Sequence, residues 1–191
     1  MYKKLLVLCI TLNLSACIST KPLPPEKRPA TWGNLVNKDL NFYKISEDVF
    51  RSEQPSNQLI PLIKQNNISV IINLRSKNED VEVLSQESLN LKHIPINTWE
   101  INRDDLLSVM KEIEQAKLTN QKALIHCYHG SDRTGASIAM YRIIFENWST
   151  QDALEEMKYG GYGFHPIWVN IEKLFSPENI KWIQQQLSNP S

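Results

Sequence analysis

The chain has 191 residues, with 21 lysines and arginines and 21 aspartates and glutamates, so its formal net charge at pH 7 is zero. This length can bury the core of one domain. The charge balance excludes a nucleic-acid binder that works through bulk positive charge, so we expect no nucleic-acid partner. A local positive pocket is still compatible with it.

The N-terminal residues have the layout of a secretory signal peptide. A short basic start is followed by a mostly apolar run over 5–14, which is too short to span a bilayer as a helix. Residues 14–17, Leu-Ser-Ala-Cys, resemble the lipobox of bacterial lipoproteins. That resemblance implies a lipoprotein signal peptide over 1–16 and lipidation of Cys17. An ordinary signal peptide with a chance cysteine is the alternative.

Lipidation would place the protein on a membrane, because acyl chains bury their methylene groups in the bilayer. We therefore expect an exported protein that is lipid-anchored to the bacterial cell envelope through Cys17. Ile18 follows the cysteine, and by resemblance to Gram-negative lipoproteins this favours the outer membrane, facing the periplasm. Residues 17–31 are proline-rich and are predicted to be a semi-extended tether that does not pack. The folded domain is predicted over 32–188.

Strand and helix patterns alternate along this domain. Strands are predicted at 49–51, 69–74, 91–96 and 122–127. Helices are predicted at 57–65, 79–91, 104–117, from 133 onward, at 151–158 and at 177–187. Thr150 is predicted as the N-cap of the helix at 151–158. The alternation predicts an α/β fold with a mostly parallel central sheet flanked by helices. Ligands of such sheets bind outside the carboxyl ends of strands, and Cys127 lies at such an end.

Cysteine usage draws attention to the same place. The chain has three cysteines. Cys9 would leave with the signal peptide and Cys17 would carry lipid, so only Cys127 remains and no intramolecular disulfide can form. A lone cysteine in an exported domain is a candidate reactive thiol. A buried structural cysteine is the alternative, which the count alone does not exclude.

The residues around Cys127 are suited to binding an anion. The loop 128–132 separates a predicted strand from a predicted helix, and such a loop can turn several backbone N–H groups toward one point. The helix N-terminus adds free donors and the positive end of its dipole. Together these groups form a cradle for phosphate or sulfate. The same field favours the thiolate of Cys127, which is the nucleophilic form.

Several neighbours could serve this cradle. The guanidinium of Arg133 could hold two phosphate oxygens, and Thr134 could donate a hydrogen bond to the sulfur. His126 could fix the loop through its ring nitrogens, with a plain core histidine as the alternative. Gly130 permits a backbone angle that a side chain would resist.

The string His126-Cys127-x-x-Gly130-x-x-Arg133-Thr134-Gly135 resembles the signature loop of the cysteine-dependent protein tyrosine phosphatase superfamily. Residues 50–55, 72–75 and 163–166 further resemble small bacterial dual-specificity-like phosphatases. The resemblance implies hydrolysis of a phosphate monoester through a phosphocysteine, with no metal or other cofactor. It implies that Cys127 is the nucleophile and that Arg133 binds phosphate.

The same resemblance implies the remaining roles and the substrates. It implies that substrate is bound by the residues that follow Cys127, which are Tyr128, His129, Gly130, Ser131 and Thr134. Two arginines, Arg51 and Arg75, would line or brace the pocket, and surface salt bridges are the alternative role for them. His126 and Asn73 give structural support. The expected substrate is a phosphorylated protein, with an inositol phosphate or phosphoinositide as the alternative.

The residue that protonates the leaving oxygen is left open. Many relatives use an aspartate upstream of the cysteine, but Asn97 stands near that place and Glu100 is the nearest carboxyl. Asp132 is favoured over Glu100, because Gly-x-Asp-Arg-Thr resembles the loop of myotubularin-like and some bacterial secreted phosphatases. Capping of the next helix is the alternative role for Asp132. His165 could approach the substrate, or could instead cap backbone groups.

Two other classes of function compete with this interpretation. Rhodanese-like sulfur transferases also place a cysteine loop before a helix, but they lack the full pattern around Cys127. A catalytically weak phosphatase fold could serve as a module that binds phosphorylated ligands.

Overall fold

The computed structural model describes residues 19–189. The predicted signal peptide over 1–16 and the predicted lipidation site, Cys17, lie outside the described residues. Within 19–189, no helix is both long enough and apolar enough to cross a bilayer.

The described chain forms six strands and seven α-helices. The strands are β1 (Asn34–Asn37), β2 (Phe42–Lys44), β3 (Val49–Ser52), β4 (Ile68–Asn73), β5 (Asn90–His93) and β6 (Lys122–His126). The helices are α1 (Ile60–Gln65), α2 (Asp80–Val83), α3 (Arg103–Leu118), α4 (Asp132–Glu146), α5 (Thr150–Tyr159), α6 (Val169–Lys173) and α7 (Pro177–Ser188), and a short 3-10 helix spans Pro25–Lys27.

The strands form one sheet in the order β1-β2-β3-β6-β4-β5. Strands β3, β6, β4 and β5 are parallel, whereas β1 and β2 pair in antiparallel fashion at one edge. The predicted α/β class with a mostly parallel sheet is therefore confirmed. The register pairs His126 at the end of β6 with Ser52 of β3 and Asn73 of β4. Three strand ends thus meet where β6 leads into Cys127.

The core lies on both faces of the sheet. Along β6, Ala123 and Ile125 belong to the larger apolar cluster, which also includes buried residues of α3 and α4. Leu124 belongs to a second cluster, which includes Ile63 of α1. Strand β6 is therefore buried on both faces, as expected of a continuous apolar run in a parallel sheet.

The helix predicted over 79–91 is wrong. Helix α2 ends at Val83, and the chain re-extends into β5 from Asn90. Leu91 pairs there with Ile71 of β4, so strand pairing overrides the local helical pattern. Pairing between distant strands is a tertiary contact that a local pattern does not report.

Two smaller differences from the predicted elements concern the edge strands and the start of α5. Strands β1 and β2 form in a stretch for which no element was predicted. At α5, the N-cap is Ser149 rather than Thr150, because the Ser149 Oγ accepts a hydrogen bond from the backbone N–H of Asp152 at 3.0 Å.

The described part of the predicted tether packs on the domain. The backbone N–H of Thr20 donates to the Phe164 carbonyl at 2.7 Å, and that of Leu23 donates to the Tyr159 carbonyl at 2.9 Å. The Arg28 side chain donates back to the Leu23 carbonyl at 2.8 Å. From Thr20 onward this segment is therefore held against the chain that follows α5, which differs from the expectation of a free tether.

A buried charge network joins α4, α5 and the N-terminal segment. The carboxylate of Glu156 accepts hydrogen bonds from Arg142 Nε at 2.7 Å, from the Gly33 N–H at 2.7 Å and from the Tyr162 hydroxyl at 2.9 Å. Arg142 also donates to the Thr31 carbonyl at 3.2 Å. Burial and the adjacent Glu156 carboxylate raise the pKa of Tyr162, so its hydroxyl stays a donor.

We predict that Glu156→Ala strongly destabilises the fold, because it leaves the Arg142 guanidinium buried without its main partner. Loss of one partner of a buried ion pair typically costs about 3–5 kcal/mol. Glu155→Ala, one residue earlier on the exposed face of α5, should change stability by less than about 0.5 kcal/mol. Urea unfolding monitored by circular dichroism measures both, and equal losses in the two variants would contradict the role of the network.

Candidate active site

The candidate site begins where β6 ends. Cys127 follows His126 and is buried, with 3% of its surface exposed. The loop 128–131 then leads into α4, whose first residue is Asp132. The thiol therefore lies at the carboxyl end of a central parallel strand and faces a helix N-terminus, as the spacing predicted.

The loop needs a glycine at one point. Gly130 has φ +67°, and a side chain there would collide with the backbone of Ser52 and Glu53. Glycine adopts this left-handed conformation without steric cost. The loop can therefore lie directly on the end of β3.

The carbonyls of the loop are bonded to the surrounding structure. The Tyr128 carbonyl accepts from the Gln54 N–H at 3.1 Å, and the His129 carbonyl accepts from Asn41 Nδ2 at 2.8 Å. At the other end, the first N–H groups of α4 have no intrahelical partner, and Ser131 makes no side-chain cap to them. The loop thus fixes its acceptors outside and leaves donors available for an anion.

Arg51 braces this loop from beneath. Its side chain is fully buried, donates from Nη2 to the Gly130 carbonyl at 2.5 Å and lies over the Tyr162 ring at 3.8 Å. Burial lowers the pKa of Arg51, while the neighbouring Tyr162, Glu156 and Cys127 side chains oppose that shift. Of the two roles predicted for Arg51, this geometry is that of a brace and not of a residue lining an open pocket.

Arg133 presents one free edge. Its Nη1 donates to the Ile96 carbonyl at 2.9 Å and to the Leu74 carbonyl at 3.2 Å. Its Nε is buried and has no hydrogen-bond partner among residues 19–189. The two carbonyls fix the guanidinium from one side, so the other side can give a phosphate the paired N–H groups that it binds best.

Thr134 does not make the contact predicted for it. Its Oγ1 is buried without a hydrogen-bond partner in the described chain. The expected hydrogen bond from Thr134 to the Cys127 sulfur is therefore not formed. The first turn of α4 holds the hydroxyl near the loop without directing it at the thiol.

His126 and Asp80 anchor the loop at its start. His126 Nε2 lies 2.8 Å from Asp80 Oδ2, and its Nδ1 lies 3.4 Å from the Cys127 carbonyl. Burial alone would raise the pKa of Asp80, but hydrogen bonds from His126 and Gln54 outweigh it and lower the pKa. Sequence reasoning missed Asp80, because it stood in a stretch interpreted as an ordinary helix and nothing local linked it to His126.

Asn73 and Arg75 shape one side of the site. The Asn73 Oδ1 accepts from the backbone N–H of Arg75 at 2.8 Å. The Arg75 guanidinium pairs with Glu79 and lies 4.9 Å from the centre of the Tyr128 ring. Tyr128 is about half exposed. Arg75 is thus already paired and supports the aromatic ring of the residue that follows Cys127.

The upstream carboxyl candidate lies on an exposed loop. Glu100 accepts a hydrogen bond from Asn97 Nδ2 at 2.9 Å and is exposed. Trp99 in the same loop is 65% exposed. The loop reaches the site through Ile96, whose carbonyl holds Arg133.

Asp132, the loop carboxyl candidate, is bonded to His165. Its Oδ1 accepts from the His165 backbone N–H at 2.8 Å, and its Oδ2 lies 2.9 Å from His165 Nδ1. Ser131 occupies the N-cap position of α4. The alternative role of Asp132 as the helix cap is therefore replaced by a contact with the Gly-Phe-His-Pro segment.

A groove of about 650 Å³ adjoins the loop. Its wall includes the loop residues His129 and Ser131, and also His165, Glu53 and Arg28. Part of the N-terminal segment is thus a wall of the groove. Across residues 19–189, no group of three or more histidine, cysteine, aspartate or glutamate side chains is arranged to hold a metal ion.

Comparisons with known proteins point to one family. The family model described as dual specificity phosphatase, catalytic domain, matches residues 49–174. The chain is 31% identical over 160 residues to the dual specificity protein phosphatase TpbA of Pseudomonas aeruginosa, which covers 82% of this chain and 72% of that protein. A crystal structure of P. aeruginosa TpbA in complex with phosphotyrosine is similar with a TM-score of 0.76 and 26% identity, over 85% of this chain and 99% of that one.

The hydrogen bond between His126 and Asp80 predicts an acid-sensitive contribution to stability. The folded-state pKa of Asp80 is lowered, so this contribution is complete above the unfolded-state pKa and is lost as pH falls through the folded-state value. Asp80→Asn should therefore lose less unfolding free energy than the parent as the pH falls below about 4. Asp39→Asn, at an exposed position, should keep the parental slope. Urea unfolding across this pH range measures it, and a parental slope in Asp80→Asn would refute the assignment.

Proposed function

The chain belongs to the dual specificity phosphatase family and is a cysteine-dependent phosphatase, and from this premise we propose which of its residues carry the reaction. Cys127 is the nucleophile and Arg133 is the phosphate clamp. The observation that carries the assignment is the free edge of Arg133, whose Nη1 is held by the Ile96 carbonyl at the end of the loop that begins with the buried Cys127.

The proposed reaction has two chemical steps. A phosphate monoester enters with its non-bridging oxygens accepting from the loop N–H groups and from the Nε and Nη2 side of Arg133. The Cys127 thiolate attacks phosphorus, the bond to the leaving oxygen breaks, and a phosphocysteine forms. Water then attacks this intermediate and releases inorganic phosphate. Preorganised donors of this kind stabilise the charge that develops on phosphate oxygens in both transition states.

Two features bring positive charge to the loop around Cys127. The N-terminus of α4 directs its positive dipole end at the loop. The buried Arg51 guanidinium lies close enough for mutual electrostatic interaction with the Cys127 side chain. Both features bring positive charge to the place where the negatively charged phosphate binds.

The substrate that we propose is a phosphotyrosyl protein. The exposed ring of Tyr128, which follows Cys127 in the loop and is supported by Arg75, offers an aromatic surface on which a phenyl ring can pack. TpbA, a similar protein, has been crystallised with phosphotyrosine. A panel of phosphotyrosyl peptides, phosphoseryl peptides and phosphoinositides tests this choice, and we expect the highest kcat/KM on phosphotyrosyl peptides.

We predict that Cys127→Ser has no measurable activity on p-nitrophenyl phosphate or phosphotyrosyl peptides, because a neutral serine hydroxyl is a far weaker nucleophile than sulfur. Arg133→Lys should lower kcat/KM by at least about 10²-fold, since lysine cannot give paired N–H donors. Cys17→Ser, a matched cysteine-to-serine control, should keep parental activity in detergent solution. Turnover by Cys127→Ser would exclude the phosphocysteine mechanism.

We further propose that the protein is exported and lipid-anchored through Cys17. The Leu-Ser-Ala-Cys stretch at 14–17 after an apolar run supports this. Lipidation would attach the domain to the bacterial envelope, and Ile18 after the cysteine favours the outer membrane. The substrate would then be a phosphoprotein that is accessible from the periplasm.

A labelling experiment tests the anchor. Cells expressing the parent chain and fed an alkyne fatty acid should give a labelled protein in the membrane fraction, whereas Cys17→Ser should be unlabelled and not sediment with membranes. Cys9→Ser, within the predicted signal peptide, serves as the control and should be labelled as the parent is. Undiminished labelling of Cys17→Ser would contradict this anchor while leaving the enzymatic assignment intact.

A further inference from the structure

We propose that His165, oriented by Asp132, is the residue that moves the proton in this reaction, and this inference rests on the function proposed above. His165 would protonate the leaving oxygen in the first step and would deprotonate water in the second. Asp132 acts through His165 as a positioning residue and is not itself the acid.

The first support is the use of the Asp132 carboxylate. Oδ1 accepts from the His165 backbone N–H and Oδ2 contacts its ring Nδ1, at 2.8 and 2.9 Å. A carboxylate with both oxygens directed at one histidine is poorly placed to protonate a substrate. It instead fixes the orientation of the imidazole, with Nδ1 toward the carboxylate and Nε2 free to face the substrate. This is how a carboxylate orients a catalytic histidine elsewhere.

The second support is the position of His165. Asp132 immediately precedes Arg133 in the first turn of α4, so the contact brings the imidazole to the same end of that helix as the phosphate clamp. The ring lines the groove that adjoins the loop, and its centroid lies 6.3 Å from that of His129. His165 therefore lies at a groove that opens beside the loop, and we infer that the leaving group extends into this groove.

The third support is the set of contacts that hold the segment carrying His165. Asn41 Nδ2 donates to the His129 carbonyl at 2.8 Å and to the Tyr162 carbonyl at 3.1 Å. One side chain thus ties the signature loop to the start of the segment that carries His165. Gly163 has φ +84° and approaches Ser131 closely. The imidazole is therefore on a segment docked to the loop at two points, which suits a group that must meet a reacting oxygen.

The protons balance over the cycle. The Cys127 sulfur bonds to phosphorus as the phosphorus–oxygen bond breaks, and the imidazolium Nε2–H protonates the departing oxygen to give an alcohol or phenol. His165 is then neutral. In the second step Nε2 takes a proton from water as the water oxygen bonds to phosphorus and the sulfur–phosphorus bond breaks. Inorganic phosphate, the Cys127 thiolate and the His165 imidazolium result.

Other charged groups face the same groove. They are Arg28, Lys38, Glu53 and His129. Burial raises the pKa of Glu53 and the charge of His129 opposes this, which makes Glu53 a rival proton donor. Glu100 is the second rival, although it is exposed and bonded to Asn97. Neither Glu53 nor Glu100 is bonded to Asp132, the residue next to Arg133, whereas His165 is. This contact favours His165 as the residue that moves the proton.

The decisive experiment varies the leaving group. On alkyl phosphates, whose leaving oxygens need a proton, His165→Gln should lower kcat by about 10²–10⁴-fold. On p-nitrophenyl phosphate, whose phenolate leaves unaided, the loss in the phosphorylation step should be below about tenfold. The alkaline limb of the pH–rate profile should disappear on alkyl phosphates. Asp132→Asn should give the same pattern, and the double variant should be no worse than His165→Gln, since the two act as a unit.

The controls distinguish a failure of this inference from a failure of the proposed phosphatase function. Cys127→Ser must lose activity on every leaving group, and activity there would refute the function itself. His93→Gln, a histidine on exposed β5, should keep the parental leaving-group dependence. Vanadate binding to His165→Gln should stay parental, which shows an intact loop.

Two results would overturn the proposal. One is an equal loss on all leaving groups in His165→Gln with the alkaline limb retained, since that marks a structural role. The other is a leaving-group-selective loss in Glu53→Gln or Glu100→Gln but not in His165→Gln.

Discussion

The candidate site depends on one buried cation. Arg51 lies beneath the signature loop, fully enclosed, and donates to the Gly130 carbonyl. An arginine in this position loses its hydration, and only compensating contacts make that tolerable. The Gly130 carbonyl, the Tyr162 ring and the Glu156 carboxylate beyond it give part of that compensation, while Nε and Nη1 of Arg51 are buried without a hydrogen-bond partner among residues 19–189. A loop held through its carbonyl from below can keep its N–H groups toward a bound anion.

The same network links the N-terminal segment and α4 to the residues that surround Arg51. Glu156 is bonded to Gly33 in the N-terminal segment and to Arg142 in α4. The N-terminal segment is therefore bonded to Glu156, whose other partner Tyr162 lies against Arg51, and it forms part of the wall of the groove. In a lipid-anchored protein as proposed here, the chain would reach the membrane from beside the active site without a long free spacer.

The roles proposed for the site residues follow from their burial and charge. Cys127 and Arg133 lie on either side of the loop, one at the end of a strand and one in the first turn of a helix. Asp132 lies between them and is bonded to His165. The nucleophile, the phosphate clamp and the proposed proton carrier thus come from two short segments whose relative position is set by packing.

The sequence by itself determined the parts that are local. The α/β class, the dual-specificity family and the loop around Cys127 could all be predicted, because alternating patterns and a contiguous string report directly on nearby backbone. The tertiary structure decided the rest: the early end of α2, the burial of Arg51, and the partners of Asp80 and Asp132. Each depends on residues far apart in the chain, and pairings such as Asp132 with His165 exist only after the sheet and helices have packed.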